Sequence, residues 1–439
     1  MLTDGKTPGF LISAPSSGSG KTVTTLALLR AYRNHGRAIG SFKVGPDYID
    51  PAFHTAASGR VCFNLDLWGM RTRTVGSNLN TVVPDVDLVI GEGVMGLFDG
   101  ASGGGGSTAD VAVALDIPVV LVVDASGQAT SAAALVHGFD TFDSRLKLAG
   151  VIFNRIGGPK HRDILQSAMA SRGTKVFGFI PRHESLTLPE RHLGLVQALE
   201  NSALEGFLDS AAEFVAEHVD LEAMEKLGSI SVTEPKTNHP PLRPLGQKMA
   251  VARDQAFAFA YPHVLDGWQN QGAELTLFSP LADETPQACD AIYLPGGYPE
   301  LHAGKLASNA NFLNSIRSCA RENLTIFGEC GGYMVLGQGL VDADNERHEM
   351  AGLLPLETSF ADRRLHLGYR EVSLKNDHAL GAKGSLFRAH EFHYATITRE
   401  EGDEALFIGN DSEGNSLGTF GHRIGAVAGS FIHLIDQSD

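Results

Sequence analysis

Residues 11–29 read LISAPSSGSGKTVTTLALL: a short apolar run, a Gly/Ser loop, then a segment with helical periodicity that continues to residue 33. Backbone N–H groups in such a loop can cradle phosphate oxygens, and the helix N-terminus adds a favourable dipole. The cradle would be Ser17, Gly18, Ser19 and Gly20. Lys21 would reach the outer phosphates of a nucleotide, and the Thr22 hydroxyl would hold Mg²⁺. The strict pattern G-x-x-x-x-G-K-[ST] has Gly where this chain has Pro15. The bland reading is an ordinary glycine loop before a helix. The run Gly20-Lys21-Thr22 after a strand favours the phosphate loop.

Working outward, residues 86–90, 119–123 and 150–153 are further short β-branched runs. Helix-like stretches at 107–115 and 131–139 lie between them. Strands alternating with helices predict an α/β fold with a parallel sheet covered on both faces. Two acidic clusters fall close to strand ends. KVGPDYIDPAFH (residues 43–54) carries Lys43, Asp47 and Asp50; GEGVMGLFDG (residues 91–100) carries Glu92 and Asp99. Ligands of open α/β sheets sit outside the carboxyl ends of the strands. Carboxylates there suit Mg²⁺ shared with nucleotide phosphates. Taken singly, Asp47 and Asp50 read as turn caps around Pro46 and Pro51; beside a phosphate loop they read as functional.

An amphipathic acidic segment covers residues 209–227, and the four prolines of residues 229–248 mark a linker. A second α/β unit starts at Met249, with strands expected at 275–278, 291–294 and 324–327. The expected organisation is two doubly wound domains, 1–228 and 249–439, joined by residues 229–248. In the second, LTIFGECGGYMVLG places Cys330 at a strand-to-helix turn between glycines. That is the form of a nucleophile elbow, where a helix N-terminus favours the thiolate. The N–H of Gly331 would stabilise an oxyanion, with Gly297 of LPGGYPE as second donor. GSFIHLID offers His433 as the base. A lone buried cysteine is more often a small core residue. The two glycine loops and the late histidine weigh against that here.

Composition narrows the classes. Lys+Arg 35 against Asp+Glu 51 gives 35 − 51 = −16, which argues against a general nucleic-acid surface. No apolar run approaches the ~20 residues of a membrane span. No signal peptide is read at the N-terminus. The four cysteines have no C-x-x-C spacing, which fits a reducing cytosol. The expected partners are small molecules rather than nucleic acid or membrane.

SAPSSGSGKT, KVGPDYIDP, EGVMGLFDG, LPERHLGL, PGGYPELH, FGECGGYMVLG and HEFHY together resemble the cobyrinic acid a,c-diamide synthase family, over essentially the whole chain. The first half is similar to dethiobiotin synthetase-like ATPase domains, a P-loop NTPase-like fold. The second is similar to class I glutamine amidotransferase domains, which are flavodoxin-like. The branch acting on hydrogenobyrinic acid looks nearest. The resemblance implies a cytoplasmic carbon–nitrogen ligase with ATP as substrate and Mg²⁺ as cofactor, and allows a homodimer. Glutamine would be hydrolysed at Cys330 through a thioester. The ammonia would then amidate acetate carboxylates activated as acyl phosphates, c before a. It puts Thr22, Asp47 and Glu92 on Mg²⁺, Lys21 and Lys43 on the transferring phosphoryl group, and Tyr48, Ile49, Asp50 and Asp99 on the tetrapyrrole acid. Most class I domains carry Glu two positions after the catalytic His; here that residue is Ile435, so a Cys–His dyad is expected. Asp436 would face away if the segment is a strand. HEFHY reads as a strand with structural or substrate contacts rather than a zinc motif, because His390 and His393 lack helical i, i+4 spacing. The competing readings are another tetrapyrrole amidotransferase (cobyric acid synthase or nickel-sirohydrochlorin diamide synthase) and a partitioning-type regulatory ATPase.

Overall fold

A computed structural model describes residues 6–170, 172–187, 204–231, 240–402 and 404–438. The LPERHLGL motif (188–195) and residues 232–239 of the linker lie outside them. The described residues form two compact units. The first takes in Met1–Trp68, Val75–Gly100 and Gly105–Thr237; the second takes in Gly69–Thr74, Ala101–Gly104 and Asn238–Asp439. Two short excursions from the first half of the sequence therefore belong to the second unit.

In the first unit, β1 (Lys6–Ser13), β2 (Ile39–Val44), β3 (Phe63–Leu65), β4 (Leu88–Glu92), β5 (Val119–Asp124), β6 (Leu148–Ile156) and β7 (Lys175–Pro181) form a sheet in the order β3-β2-β4-β1-β5-β6-β7. Their pairings are parallel; β8 (Ser229–Ser231) pairs antiparallel to β1. Phe10, Leu11, Ile12 and Val119 to Val123 are fully buried. Such unbroken apolar runs are what a strand covered on both faces requires. Helix α1 (Lys21–Asn34) follows β1, and α2 (Asp50–Ser58) follows β2. The acidic segment is two helices, Leu204–His218 and Leu221–Glu225, the second capped by Asp220. Its Glu205 and Asp209 pair with the buried Arg30 of α1.

In the second unit, β9 (Lys248–Ala252), β10 (Glu274–Phe278), β11 (Ala291–Leu294) and β12 (Thr325–Glu329) form a parallel sheet in the order β10-β9-β11-β12. Strands Val427–Ser430 and His422–Ile424 extend it. The chain between builds two further sheets that the sequence reading did not place. One is four-stranded. The other is antiparallel, in the order Ser416–Phe420, Phe407–Asn410, His366–Leu374, Leu386–His393, Ile432–Gln437. HEFHY is indeed mostly strand.

Within this unit, Arg71 donates to Asp436 through its backbone N–H (2.8 Å) and its guanidinium (2.5 Å). Both side chains are nearly or fully buried. Burial raises the Asp436 carboxyl above its ordinary range, with Arg71 opposing. Removing one partner of a buried pair strands the other charge, at a cost of ~3 kcal/mol. Arg71→Ala is therefore expected to lower the melting temperature. Its deficit should shrink on acidification, because protonation discharges the stranded carboxylate. Thermal melts at two pH values check this; a deficit that grows on acidification contradicts it.

Candidate functional site

β1, β4 and β2 lie side by side in register. Ile12 is opposite Glu92, and Glu92 opposite Lys43. The phosphate loop leaves β1 at the same edge. Gly20 closes it at φ 87°, a left-handed conformation that favours glycine. A Cβ there would also lie 2.2 Å from Asn154 Nδ2. Asn154, from β6, donates to the Ser19 carbonyl at 3.0 Å. No side chain caps the start of α1, so its first N–H groups suit an anion.

Beneath the loop the charges converge. Thr22 donates to Glu92 Oε1 at 2.7 Å, and its hydroxyl lies 3.4 Å from Asp50 Oδ2. Lys43 Nζ bridges Asp50 Oδ2 and Glu92 Oε1, and Lys21 Nζ is 3.5 Å from Glu92. Burial alone would push the Lys43 ammonium down; Asp50 and Glu92 more than offset it and hold it above the usual range. Burial, with Lys43 adding, lowers Lys21. Burial works against the Glu92 charge, but Lys43, Lys21 and His54 hold the carboxyl well below its ordinary value. Asp47 is set differently: its Oδ1 accepts from Ile49 N–H (2.8 Å) and Asp50 N–H (3.0 Å). Burial and Asp50 raise it to about 6, against Lys43. The structure thus brings Asp50, rather than Asp47, to Thr22 and Glu92. Thr22, Glu92 and Asp50 present hard oxygen donors, the set that fits Mg²⁺.

Tyr48 and Ile49 are buried, at 6% and 7% exposure. Asp99 is exposed and accepts from Gly96 N–H at 2.8 Å. Gly96 abuts the Pro15 carbonyl, which places the loop after β4 against the phosphate loop. His54 was missed by sequence reasoning. It is fully buried, with Nε2 2.7 Å from Glu92 Oε2. Burial opposes its charge, but Cys62 and Glu92 hold the ring up at about 10. Its position at i+4 from Asp50 on α2 was the available signal.

In the second unit β11, β12 and Val427–Ser430 are adjacent strands of one sheet, and the segments that follow them carry Gly297, Cys330 and His433. Cys330 follows β12 at φ 46°, ψ −102°, and opens helix Gly331–Leu336. A positive φ at a non-glycine residue is strained and belongs to elbows of this kind. The Cys330 N–H donates to Ser430 O (2.8 Å), so the elbow is pinned to the neighbouring strand. A Cβ on Gly331 would lie 2.9 Å from the Gly297 nitrogen, which brings the two proposed oxyanion residues together. A Cβ on Gly296 would lie 2.4 Å from His433 Cε1 and 3.3 Å from Cys330 Cβ, so only glycine fits between them. Burial and Glu300 push the Cys330 thiol up. Burial, His390 and His393 lower His433 to about 3. Both groups are therefore uncharged at neutral pH.

Asp436, held by Arg71, is not the missing triad acid. His366, Glu391 and His393 cluster closely enough to suggest a metal. Yet His393 has both nitrogens engaged, Nδ1 at Ala395 O and Nε2 at Glu391 Oε1, each 3.0 Å, and Arg370 takes the other Glu391 oxygen. That is a closed polar network beside the elbow, where Phe392 O is 3.9 Å from Cys330 Sγ.

Comparison with known proteins agrees with this division. The family model "CobQ/CobB/MinD/ParA nucleotide binding domain" matches residues 10–196, and "CobB/CobQ-like glutamine amidotransferase domain" matches residues 248–439. A protein of Brucella abortus biovar 1 (strain 9-941) named hydrogenobyrinate a,c-diamide synthase is 51% identical, covering 98% of this chain and 99% of that one. Proteins of the same name from Rhizobium meliloti (strain 1021) and Mesorhizobium japonicum are 52% and 48% identical, covering 98% of this chain and 100% and 98% of their own. The solved structure of PurLQS from Thermotoga maritima aligns over 43% of this chain and 87% of that chain, at 16% identity and a TM-score of 0.32.

A P-loop nucleotide-binding unit joined to a class I glutamine amidotransferase unit defines a glutamine-dependent, amide-forming ligase. Within that class, the chain belongs to the hydrogenobyrinate a,c-diamide synthase family. Among the described residues, no helix is long and apolar enough to cross a membrane.

Proposed function

We propose that the enzyme amidates the a and c acetate carboxylates of hydrogenobyrinic acid in cobalamin biosynthesis, using ATP and glutamine-derived ammonia. The observation that carries this reading is the 51% identity with proteins of that name along the full length of both chains. Cys330 Sγ attacks the glutamine carboxamide, and His433 takes the thiol proton and passes it to the leaving ammonia. Water then releases glutamate from the thioester. At the phosphate loop, a substrate carboxylate attacks the γ-phosphoryl group of ATP, giving an acyl phosphate and ADP. Ammonia displaces phosphate to give the amide. Lys21 and Lys43 neutralise charge on the transferring group. Thr22, Glu92 and Asp50 would hold Mg²⁺, which supplies further charge neutralisation. Mass spectrometry after incubation with ATP, Mg²⁺, glutamine and hydrogenobyrinic acid, or its cobalt counterpart, tests the reading. Two successive exchanges of OH for NH₂ on the cobalt-free acid support it. Amidation of the cobalt form alone, or of other side chains, contradicts it.

Tyr48 and Ile49 lie between Asp47 and Asp50, beside the charge cluster. A flat macrocycle offers apolar faces to such residues. Tyr48→Ala and Ile49→Ala are expected to raise the tetrapyrrole KM or release the c-monoamide, with little change in the KM values for ATP and glutamine. Their burial gives the test its edge: equal losses in all three, with a lowered Tm, would assign both side chains to packing.

A further inference from the structure

We propose that Glu329 is a positioning residue for glutamine hydrolysis, its carboxylate tying the backbone beside His433 to the elbow that carries Cys330. The inference rests on the reading of Cys330 and His433 as the glutaminase dyad. Glu329 is the last residue of β12 and immediately precedes Cys330. It is 3% exposed, yet both carboxylate oxygens are bonded. Oε1 accepts from the Leu434 N–H at 3.0 Å, one residue beyond His433. Oε2 accepts from the Tyr293 hydroxyl at 2.6 Å. Tyr293 lies on β11, whose following loop carries Gly296 and Gly297, and its ring is fixed edge-on against Trp268. One side chain therefore joins the three segments that deliver nucleophile, base and oxyanion donor.

The need for such a tie follows from the base. Ile435 stands where an orienting Glu would be, and the imidazole moves with the backbone of its strand. That strand is the edge of its sheet, paired on one side with Leu386–His393. Its start is held by Ser430 Oγ, which accepts from the Ile432 N–H at 3.0 Å, and its end by Arg71 on Asp436. Glu329 and Ser430 hold the N–H groups on either side of His433, and of the two only Glu329 belongs to the strand that carries Cys330. The ring meets the Gly296 backbone closely, so a small strand shift moves it relative to Sγ. A misplacement of about 1 Å can cost ~100-fold in rate.

The experiment compares Glu329→Ala and Glu329→Gln for glutaminase kcat, glutamine KM, pH profile and ammonia-driven amide synthesis, with Cys330→Ala as control. Glutamine hydrolysis surviving in that control would overturn the dyad reading itself. With the dyad intact, Glu329→Ala should lower glutaminase kcat ~100-fold with KM little changed and ammonia-driven synthesis retained. Glu329→Gln keeps an oxygen for the Leu434 N–H and should recover most of kcat. Burial sets the Glu329 ionisation at about 7, with Tyr293 and the Leu434 N–H opposing; because the tie needs an acceptor oxygen rather than a charge, the pH profile of Glu329→Gln should stay that of the wild type. Full kcat in Glu329→Ala, equal damage in Ala and Gln, or equal loss of ammonia-driven synthesis would overturn the proposal. If the alanine variant does not fold, Tyr293→Phe decides, since it removes only the hydroxyl that holds Oε2: a glutaminase kcat equal to the wild type overturns the proposal.

Discussion

Cys330→Ala is expected to abolish the use of glutamine and leave amide synthesis from concentrated ammonium salt. Sγ is the atom that would form the thioester, and on the proposed mechanism the phosphate-loop unit would need only ammonia. Losing a nucleophile of this kind costs on the order of 10⁶ in acyl transfer, the residue being what binding and oxyanion donors supply. The donors Gly331 and Gly297 remain in the variant, so bound glutamine should still be held. At rest the burial that raises the thiol and lowers His433 keeps both neutral. Proton transfer must then accompany attack rather than precede it. His433 is already in its basic form at all pH values above about 3. Glutaminase and ammonia-driven synthesis assays on the folded variant decide the matter. Residual glutamine hydrolysis at the wild-type rate, or loss of the ammonia reaction, contradicts the assignment.

Most of the strands that were legible are buried on both faces, the edge strand Glu274–Phe278 being an exception. Residues 291–294 and 119–123 are continuous apolar runs because parallel strands need them. β2 was harder to see. Gly40, Ser41 and Lys43 break its apolar pattern, yet the whole strand is buried. The reason lies in the site, where Lys43 is buried by its bonds to Glu92 and Asp50. The sheets after Leu336 were missed for the opposite reason. Their strands have one face partly open, where Glu371 pairs with Arg388, while Arg370 on the other face is taken up by Glu391. Apart from HEFHY, local sequence does not distinguish these from loops. The phosphate loop and the elbow were visible because glycine spacing is a backbone requirement that sequence records directly. Glu329 and His54 were not, because their roles depend on Leu434 and Glu92, both far away in the chain.

Glu92→Gln is expected to cut amide formation by orders of magnitude, whether the nitrogen comes from glutamine or from ammonium salt, while glutamine hydrolysis persists. Among the described residues, Glu92 is the carboxylate that meets Thr22, Lys43 and His54 at 2.8 Å or less, with Lys21 at 3.5 Å. Its substitution removes the charge against which two buried ammonium groups are held. Gln can still accept from Thr22, so the fold should persist, but Lys43 and Lys21 lose their shared anchor. It also replaces one of the three carboxylate or hydroxyl oxygens suited to Mg²⁺ by a neutral, weaker amide oxygen. Losing one such contact in phosphoryl transfer is worth ~3 kcal/mol or more, roughly a hundredfold in rate. Lys21→Ala should fall in the same range by a separate route, since it deletes the charge aimed at the outer phosphates and leaves the Thr22–Glu92 bond intact. The two variants differ in what should rescue them: raised Mg²⁺ should partly restore Glu92→Gln and do little for Lys21→Ala. Near-normal synthesis in either variant would place the nucleotide chemistry elsewhere, and equal rescue by Mg²⁺ would remove Glu92 from the metal set.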